Sequence, residues 1–230
     1  LLDMARDMEE LCPDAWLINM SNPESRLTLA LHRYSRVKNV GVCLGAYITR
    51  HVLAKDYLGL DADDVDIKVG GINHCHWVLD VRHARSGEDL YPKVRQRAAV
   101  VAAEAAAQGR STLSAECLRL FGHYPGPGDG HVGEFLGWGW QFLPADCESG
   151  IYRGEEQARE LEAQLERLAT GQVPMEDPGT VLPEGAMAWQ TVDLMRSLAD
   201  NGNRYILSLN VPNQGYIPNL MQGAIVEVPT

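Results

Sequence analysis

Two residues that can bind a transition metal, Cys43 and His74, lie where predicted strands end. Thiolate and imidazole together bind Mn, Fe, Co, Ni or Zn better than they bind Ca or Mg. The spacing alone is weak evidence for a metal site, because a cysteine on a strand usually packs in the hydrophobic core. The pair therefore predicts a divalent-metal site only if the fold brings the two strand ends together.

A glycine-rich segment, YPGPGDGH, carries a phenol, a carboxylate and an imidazole at Tyr124, Asp129 and His131. Glycine has no side chain, so a substrate can approach the backbone of such a segment closely. The three groups could act as general acids or bases. In the other interpretation the segment is a turn in which Asp129 only accepts hydrogen bonds from backbone amides.

The elements that would position these groups begin with a β-α-β pattern. The apolar run 15–18 predicts a strand, the polar segment 19–25 a turn, residues 26–34 a helix and residues 39–44 a second strand. Two strands joined by a helix are typical of a parallel sheet. Open sheets of this kind bind ligands at the carboxyl ends of their strands, where the polar segment and Cys43 fall.

Behind this pattern the elements no longer alternate. The sequence predicts, in chain order, a helix at 47–57, two strands within 65–81 around a bend at 70–74, helices at 92–108 and 112–121, a loop at 122–130, a charged surface helix at 155–168, a helix at 187–200 and a strand at 205–211. We therefore expect an α/β fold: an α/β arrangement in the first part of the chain is followed by an α+β arrangement in the second. The change from one to the other is expected between residues 45 and 65.

Composition excludes several classes of protein. The chain has 230 residues, 45% of them hydrophobic and 22% charged, and a formal charge of -11. The apolar content excludes a disordered chain, and an acidic protein with dispersed Lys and Arg is not expected to bind nucleic acid or an anionic membrane. No apolar run approaches the roughly 20 residues of a membrane span. Five cysteines without a CxxC pair indicate reduced thiols and a cytoplasmic protein.

Five motifs, in chain order, give the sequence a resemblance to a known family. They are NMSNPES (19–25), VGVCLGA (40–46), VGGINHCHW (69–77), FGHYPGPGDGHVGEF (121–135) and LNVPNQGYIPNLMQGAIVEVP (209–229). Together they resemble glycoside hydrolase family 4, whose members cleave O-glycosidic bonds with NAD and a divalent metal, here expected to be Mn. The resemblance implies the end of a Rossmann-type parallel sheet over residues 1–46. A catalytic α+β domain similar to that of lactate and malate dehydrogenases would follow over residues 47–230.

The resemblance also implies a role for individual residues. The implied metal ligands are Cys43 and His74, the implied sugar contacts are Asn22, Asn73 and His131, and the candidates for the base that removes the C2 proton are Asp129 and Tyr124. In the implied reaction the sugar is oxidised at C3, loses the C2 proton and then the aglycone at C1, adds water and is reduced again at C3. NAD carries the hydride, and the metal binds the C2 and C3 oxygens.

Two features depart from the family pattern. Leu44 follows the metal-binding cysteine at a position where many members have a His or Asp that can assist the leaving group, and leucine has no proton to give. No GxGxxG-like turn that would hold the NAD pyrophosphate opens a helix in this sequence. Residues 1–11 begin within a helical pattern, so we expect the chain to be a piece of a longer protein.

Two other functions stay open at the level of sequence. A 2-hydroxy-acid dehydrogenase of the lactate or malate type shares the fold, although it uses an Arg and a His-Asp pair without a metal. A non-catalytic fragment that only binds sugar is the other. The segment at 121–135 resembles the α-galacturonidase and α-glucosidase members more than the phospho-β-glucosidases. The expected partners are a small-molecule glycoside and further copies of the chain in a dimer or tetramer; the sugar, its anomer and its phosphorylation state are not determined.

Overall fold

A parallel β-α-β unit forms the first part of the fold. The computed structural model describes residues 1–142 and 186–230, together with residue 159 and residues 162–163, 166–167 and 169–171. The unit consists of helix α1 (Leu2–Leu11), strand β1 (Trp16–Asn19), helix α2 (Glu24–Tyr34) and strand β2 (Lys38–Gly41). β1 and β2 pair in parallel, which confirms the predicted arrangement. Pro23 directly precedes α2. A residue without a backbone N–H is tolerated there, because no hydrogen bond within the helix would use that donor.

A helix and a β-hairpin follow. Helix α3 (Gly45–Val52) continues as a π-helix over Leu53–Leu58, and a 3₁₀ turn at Ala62–Asp64 leads into the hairpin. Strands β3 (Val65–Ile72) and β4 (Cys75–His83) pair antiparallel around a turn made by Asn73 and His74. Alternate residues in the first part of β3 are buried, so this strand has one face on the core and one toward solvent.

Helices and a short strand then pack over the hairpin. They are α4 (Tyr91–Ala107), α5 (Leu113–Phe121), β5 (Pro125–Gly126), α6 (Asp129–Phe135) and a 3₁₀ turn at Gly139–Phe142. The prediction of a loop over 122–130 is therefore wrong in part, because this range contains β5 and the start of α6. Two glycines within α6 conceal the helix in the sequence. Most of the helix predicted at 155–168 lies outside the described residues, as does Cys147.

The strands nearest the end of the chain lie in the middle of the sheet. After helix α7 (Ala186–Asp200), strands β6 (Leu209–Pro212) and β7 (Ile225–Val228) pair antiparallel with each other. Within the described residues the strand order is β1-β2-β6-β7-β3-β4-β5. The sheet thus continues across residues 46 and 47, where the sequence predicts a domain boundary, and the division into domains stays a prediction.

Four apolar clusters among the described residues hold the helices together and against the sheet, one of them between α5 and α6. The largest joins β3 and β4 to α4 and α5 through side chains such as Val65, Val94 and Leu118. A second cluster packs α7 on β2 and β6, and a third packs α1 on α2. Each fully buried aliphatic side chain contributes about 1.5–3 kcal/mol. Among the described helices none has the length and apolar character needed to cross a membrane.

Candidate functional site

A row of residues crosses the sheet at one level, one from each strand. In strand order the paired residues are Asn19, Gly41, Asn210, Glu227, Gly71, His76 and Gly126. Residues that pair directly across a ladder point to the same face of the sheet. We call these seven residues the polar row. Each of its non-glycine members is at most 2% exposed, so the row places amide, carboxylate and imidazole groups inside the protein.

The glycines of the polar row make room for polar groups. The Glu24 carboxylate lies where a Cβ atom of Gly41 would be, and the Thr49 hydroxyl lies where a Cβ atom of Gly126 would be. At Gly71 an added Cβ would lie 2.6 Å from backbone atoms of β4. A larger residue at any of these three positions would therefore displace a buried polar group or a neighbouring strand.

Glu24, the first residue of α2, projects its carboxyl group onto the polar row. The Thr28 hydroxyl donates a hydrogen bond of 2.6 Å to Glu24 Oε1, while Oε2 has no hydrogen-bond partner among the described residues. Burial raises the pKa of Glu24 to about 7, and the charge of Glu227 adds to the rise. Both protonation states of Glu24 are therefore populated near neutral pH.

Glu227 is the point at which several contacts of the polar row meet. Ser208 donates a hydrogen bond of 2.6 Å to Glu227 Oε1, and Asn73 Nδ2 donates one of 3.5 Å to Oε2. His76 Nδ1 lies 3.3 Å from the same Oε2, and His76 Nε2 lies 3.1 Å from the Thr49 hydroxyl. Burial acts to raise the pKa of Glu227, but the contacts with His76, Ser208 and Asn73 outweigh it and lower the pKa. Glu227 is therefore a buried carboxylate in its ionised form.

The Asn73 side chain links Glu227 to Cys43. Cys43 is half-buried beyond the end of β2, and its Sγ accepts a hydrogen bond of 3.4 Å from the Gly45 backbone amide. Burial raises the pKa of the Cys43 thiol and the charge of Glu227 adds to the rise, while hydrogen bonding by the Gly45 amide and by the nearby Asn73 side chain opposes it. The structure thus brings Cys43 to the turn that carries His74; that these two residues share one ion stays a prediction.

The donor set at this turn can be tested against the predicted metal. No three His, Cys, Asp or Glu side chains lie close enough together to hold an ion in the part of the chain that the structure describes. The predicted ligands are thus a thiol, Cys43, and an imidazole, His74, and both side chains are only half-buried. A thiol and an imidazole with the remaining positions left to a ligand suit an open site for a divalent transition ion better than a closed structural one. The residues fit the predicted divalent ion on these terms.

His131 of α6 lies against His74. The ring centroids of these histidines are 4.5 Å apart and the ring planes are inclined by 37°. Burial lowers the pKa of His74, and the nearby His131 lowers it further. His74 is therefore held toward the neutral form, which is the form that binds a metal. Helix α6 thus places His131 next to His74, and the role of His131 toward a sugar stays a prediction.

The two candidate bases have different surroundings. The Asp129 carboxylate accepts a 3.0 Å hydrogen bond from the Ser114 backbone amide and further hydrogen bonds from the hydroxyls of Ser111 and Ser114. Asp129 therefore anchors the start of α5, as expected if it serves the backbone. Tyr124 is 6% exposed, and burial raises its pKa well above its usual range, so it is a neutral phenol. The assignment of the base to one of these two residues stays a prediction.

The sequence analysis missed most of the polar row. It assigned no role to His76, Asn210 or Glu227, nor to Glu24, whose carboxyl group packs on the row. A signal was present, because Glu227 and Asn210 interrupt the otherwise apolar strands IVEV and LNVP. Charged and amide side chains are seldom fully buried unless they have partners. Asn22, the predicted sugar contact, is exposed just after β1, at the same edge of the sheet as Cys43.

Known families and proteins match the chain over almost all of its length. Residues 1–58 match the family described as family 4 glycosyl hydrolase, and residues 69–230 match the family 4 glycosyl hydrolase C-terminal domain. An alpha-galactosidase of Bacillus subtilis (strain 168) is 29% identical over 99% of this chain and 51% of its own length. An alpha-galacturonidase of the same strain is 26% identical over 98% of this chain and 53% of its own length. The chain spans about half the length of these relatives.

Solved structures match the fold as well. The crystal structure of the Bacillus subtilis protein lplD has a TM-score of 0.76 and 26% identity over 99% of this chain and 55% of that one. A 6-phospho-alpha-glucosidase from gut microorganisms, solved with NAD and Mn²⁺, has a TM-score of 0.69 and 23% identity over 99% of this chain and 54% of that one. The expected α/β fold is therefore confirmed. Because the family match covers both the β-α-β unit and the remainder with its polar row, the chain belongs to family 4 of the glycosyl hydrolases.

Proposed function

We propose that the protein containing this chain hydrolyses the O-glycosidic bond of a small glycoside and uses NAD and a divalent ion. Mn²⁺ is the ion that we expect. Family membership supports glycosidase chemistry over a 2-hydroxy-acid dehydrogenase. Relatives that act as alpha-galactosidase and alpha-galacturonidase support α-linked galactosides and galacturonides as the first substrates to test. A solved relative in fold that holds both NAD and Mn²⁺ supports these cofactors.

The observation that carries the proposal is the contact between Cys43 and the turn at residues 73–74. When bound, NAD and the divalent ion would supply reversible oxidation at the sugar's C3 and stabilisation of charge on the adjacent oxygens. Cys43 and His74 would hold the ion, since one is a thiol and the other a histidine held toward its neutral form. Asn73, which contacts Cys43, would orient this ligand and meet a sugar hydroxyl.

The proton at C2 of the sugar would pass to a residue of the segment that leads into α6. Asp129 is our first candidate, because its side chain is a carboxylate, a common general base in enzymes. Its three hydrogen bonds fix its position, but a carboxylate has about four acceptor sites, so one can still receive a proton. Tyr124 is the second candidate, and it would first have to lose its own proton.

Leu44 affects the leaving group. It follows Cys43 and directly precedes α3, and its side chain cannot protonate a departing oxygen. We therefore expect the enzyme to cleave glycosides of acidic phenols much faster than glycosides of alcohols. The measurement is the turnover rate on a series of aryl glycosides, which should depend steeply on the pKa of the leaving group.

The experiment that tests the proposal measures hydrolysis of nitrophenyl α-galactoside and α-galacturonide by the natural full-length protein. Activity should need both NAD and Mn²⁺, and a chelator should abolish it. Cys43→Ser should lose most activity, whereas Cys12→Ser, at an exposed thiol beyond α1, should retain it. Hydrolysis that is indifferent to NAD and to chelation would refute the proposal. Oxidation of 2-hydroxy acids without hydrolysis would favour the dehydrogenase, and sugar binding without turnover would favour the non-catalytic alternative.

A further inference from the structure

A buried carboxylate stands behind the proposed metal site. Glu227 is fully buried in the central strand β7, yet it is ionised. Burying an ionised group costs several kcal/mol, and apolar side chains of similar volume would often stabilise a sheet better. Stability alone therefore gives little reason for a glutamate at this position, and its contacts indicate what else it does.

The Glu227 carboxylate reaches the metal-site turn through one side chain. Its Oε2 accepts a hydrogen bond from Nδ2 of Asn73, a residue that is far from Glu227 in the sequence. The Asn73 side chain also lies beside Cys43, where its hydrogen bonding acts to lower the pKa of the thiol. An amide nitrogen has two hydrogens, so the same Nδ2 can serve Glu227 and Cys43 at once. That orientation leaves Asn73 Oδ1 as the atom available to a ligand.

The orientation is specific because an asparagine side chain can otherwise turn over. With Nδ2 and Oδ1 exchanged, the amide oxygen would face the Glu227 carboxylate and the Cys43 sulfur, where both contacts would be repulsive or weak. The Ser208 hydroxyl donates to Glu227 Oε1 and His76 Nδ1 lies 3.3 Å from Oε2, so the carboxylate has contacts besides Asn73 that restrict it. The chain of contacts runs from the centre of the sheet to Cys43.

We propose that Glu227 is a positioning residue that fixes the Asn73 amide, and that the amide in turn orients the Cys43 sulfur toward a divalent ion. The inference rests on the proposed function, since it takes Cys43 as a metal ligand. Groups that orient a metal ligand through a hydrogen bond typically change metal affinity about 10–100-fold when they are removed. Glu227 acts one contact further away, so its removal should weaken Mn²⁺ binding about tenfold.

The test measures Mn²⁺ affinity of the natural full-length protein by titration, with free Mn²⁺ followed by electron paramagnetic resonance. Glu227→Met keeps the volume and removes both acceptors, and it should weaken binding about tenfold. Glu227→Gln should remain within about threefold of the wild type, because its amide oxygen can accept from Asn73 while its amide nitrogen donates to Ser208. In an Asn73→Ala background, Glu227→Met should cause no further loss.

A matched control lies on the same face of the sheet. Glu24→Met removes another buried carboxyl group, one whose hydrogen bonds go to Thr28 and Asn19, and it should leave Mn²⁺ affinity within twofold. If Glu227→Met does not fold, as judged by thermal unfolding, Glu227→Asp takes its place. The shorter side chain keeps the charge but withdraws the acceptor from Asn73, so it should also weaken binding.

The outcomes separate this inference from the proposed function. A wild-type protein that binds no Mn²⁺ overturns the proposed function together with the inference. A wild-type protein that binds Mn²⁺, with Glu227→Met or its Asp substitute unchanged, overturns the inference alone. Equal losses for the Gln and Met variants would show an effect of charge rather than of positioning, and an equal loss in Glu24→Met would show a general effect of the sheet; both also overturn it.

Discussion

Glu24 gives the structure a testable dependence of stability on pH. Its pKa rises from 4.5 to about 7 in the folded protein because burial disfavours the charged form. A carboxyl group with a raised folded pKa binds its proton more tightly in the folded state. Its contribution to stability is therefore full below pH 4.5, falls as the pH rises toward 7, and is absent above.

The perturbation is Glu24→Gln, which keeps the shape but cannot ionise. The difference between the two pKa values corresponds to about 3 kcal/mol of stability that the wild type loses between pH 4.5 and 8. Glu24 is 2% exposed, so solvent screening reduces this figure little. The free energy of unfolding of the variant, relative to the wild type, should rise by up to that amount over the same range.

Urea unfolding of both proteins at several pH values from 4.5 to 8 measures this difference, in which the titration of other groups cancels. Glu88→Gln is the control: hydrogen bonding and the charge of Lys93 lower the pKa of the exposed Glu88 from 4.5, so this group titrates below the pH range of the experiment and its difference should stay nearly constant. A Glu24→Gln difference that does not change with pH would refute the raised pKa. A decreasing difference would show that Glu24 is ionised and stabilised by its hydrogen bonds.

Three further predictions concern single residues. Gly71→Ala should destabilise the protein by about 1–3 kcal/mol in urea unfolding, since the new Cβ would lie 2.6 Å from backbone atoms of Cys75 and His76. Asp129→Asn should lower the turnover rate about 10²-fold in steady-state assays while Mn²⁺ still binds; near-normal turnover, with collapse in Tyr124→Phe, would make the tyrosine the base. Peroxide oxidation of Cys43 should abolish Mn²⁺ binding in titrations, and a thiol reductant should restore it if the product is a sulfenic acid or disulfide.

Local patterns predicted the fold where neighbours in sequence are neighbours in space. The β-α-β unit over residues 16–41 and the helices α4, α5 and α7 follow from apolar periodicity and were predicted within a few residues. Helix α6 was missed because Gly130 and Gly133 suggest a loop. Strand β7 was not predicted as a strand, since Glu227 interrupts the apolar run of its four residues.

The residues of the candidate site also fall into those that the sequence could identify and those that depend on contacts between distant parts of the chain. Cys43, His74 and His131 could be singled out because their side chains have distinctive chemistry. Glu227 could not be linked to Asn73 from the sequence, because the contact depends on β7 lying beside β3, a pairing between distant parts of the chain. Likewise Glu24 could not be recognised as a buried acid, since it stands at a helix start where acidic residues are common on the surface.

The central position of β6 and β7 has a consequence for how the chain acquires its structure. The pair β1–β2 and the hairpin β3–β4 can each form from local sequence, but in the sheet of the described residues the two are joined through strands made after them. On the ribosome both units would carry an open strand edge until residues 209–228 emerge. Long-range pairing of this kind slows folding, and open edges are prone to aggregate. We therefore expect the nascent chain to depend on chaperones during this interval.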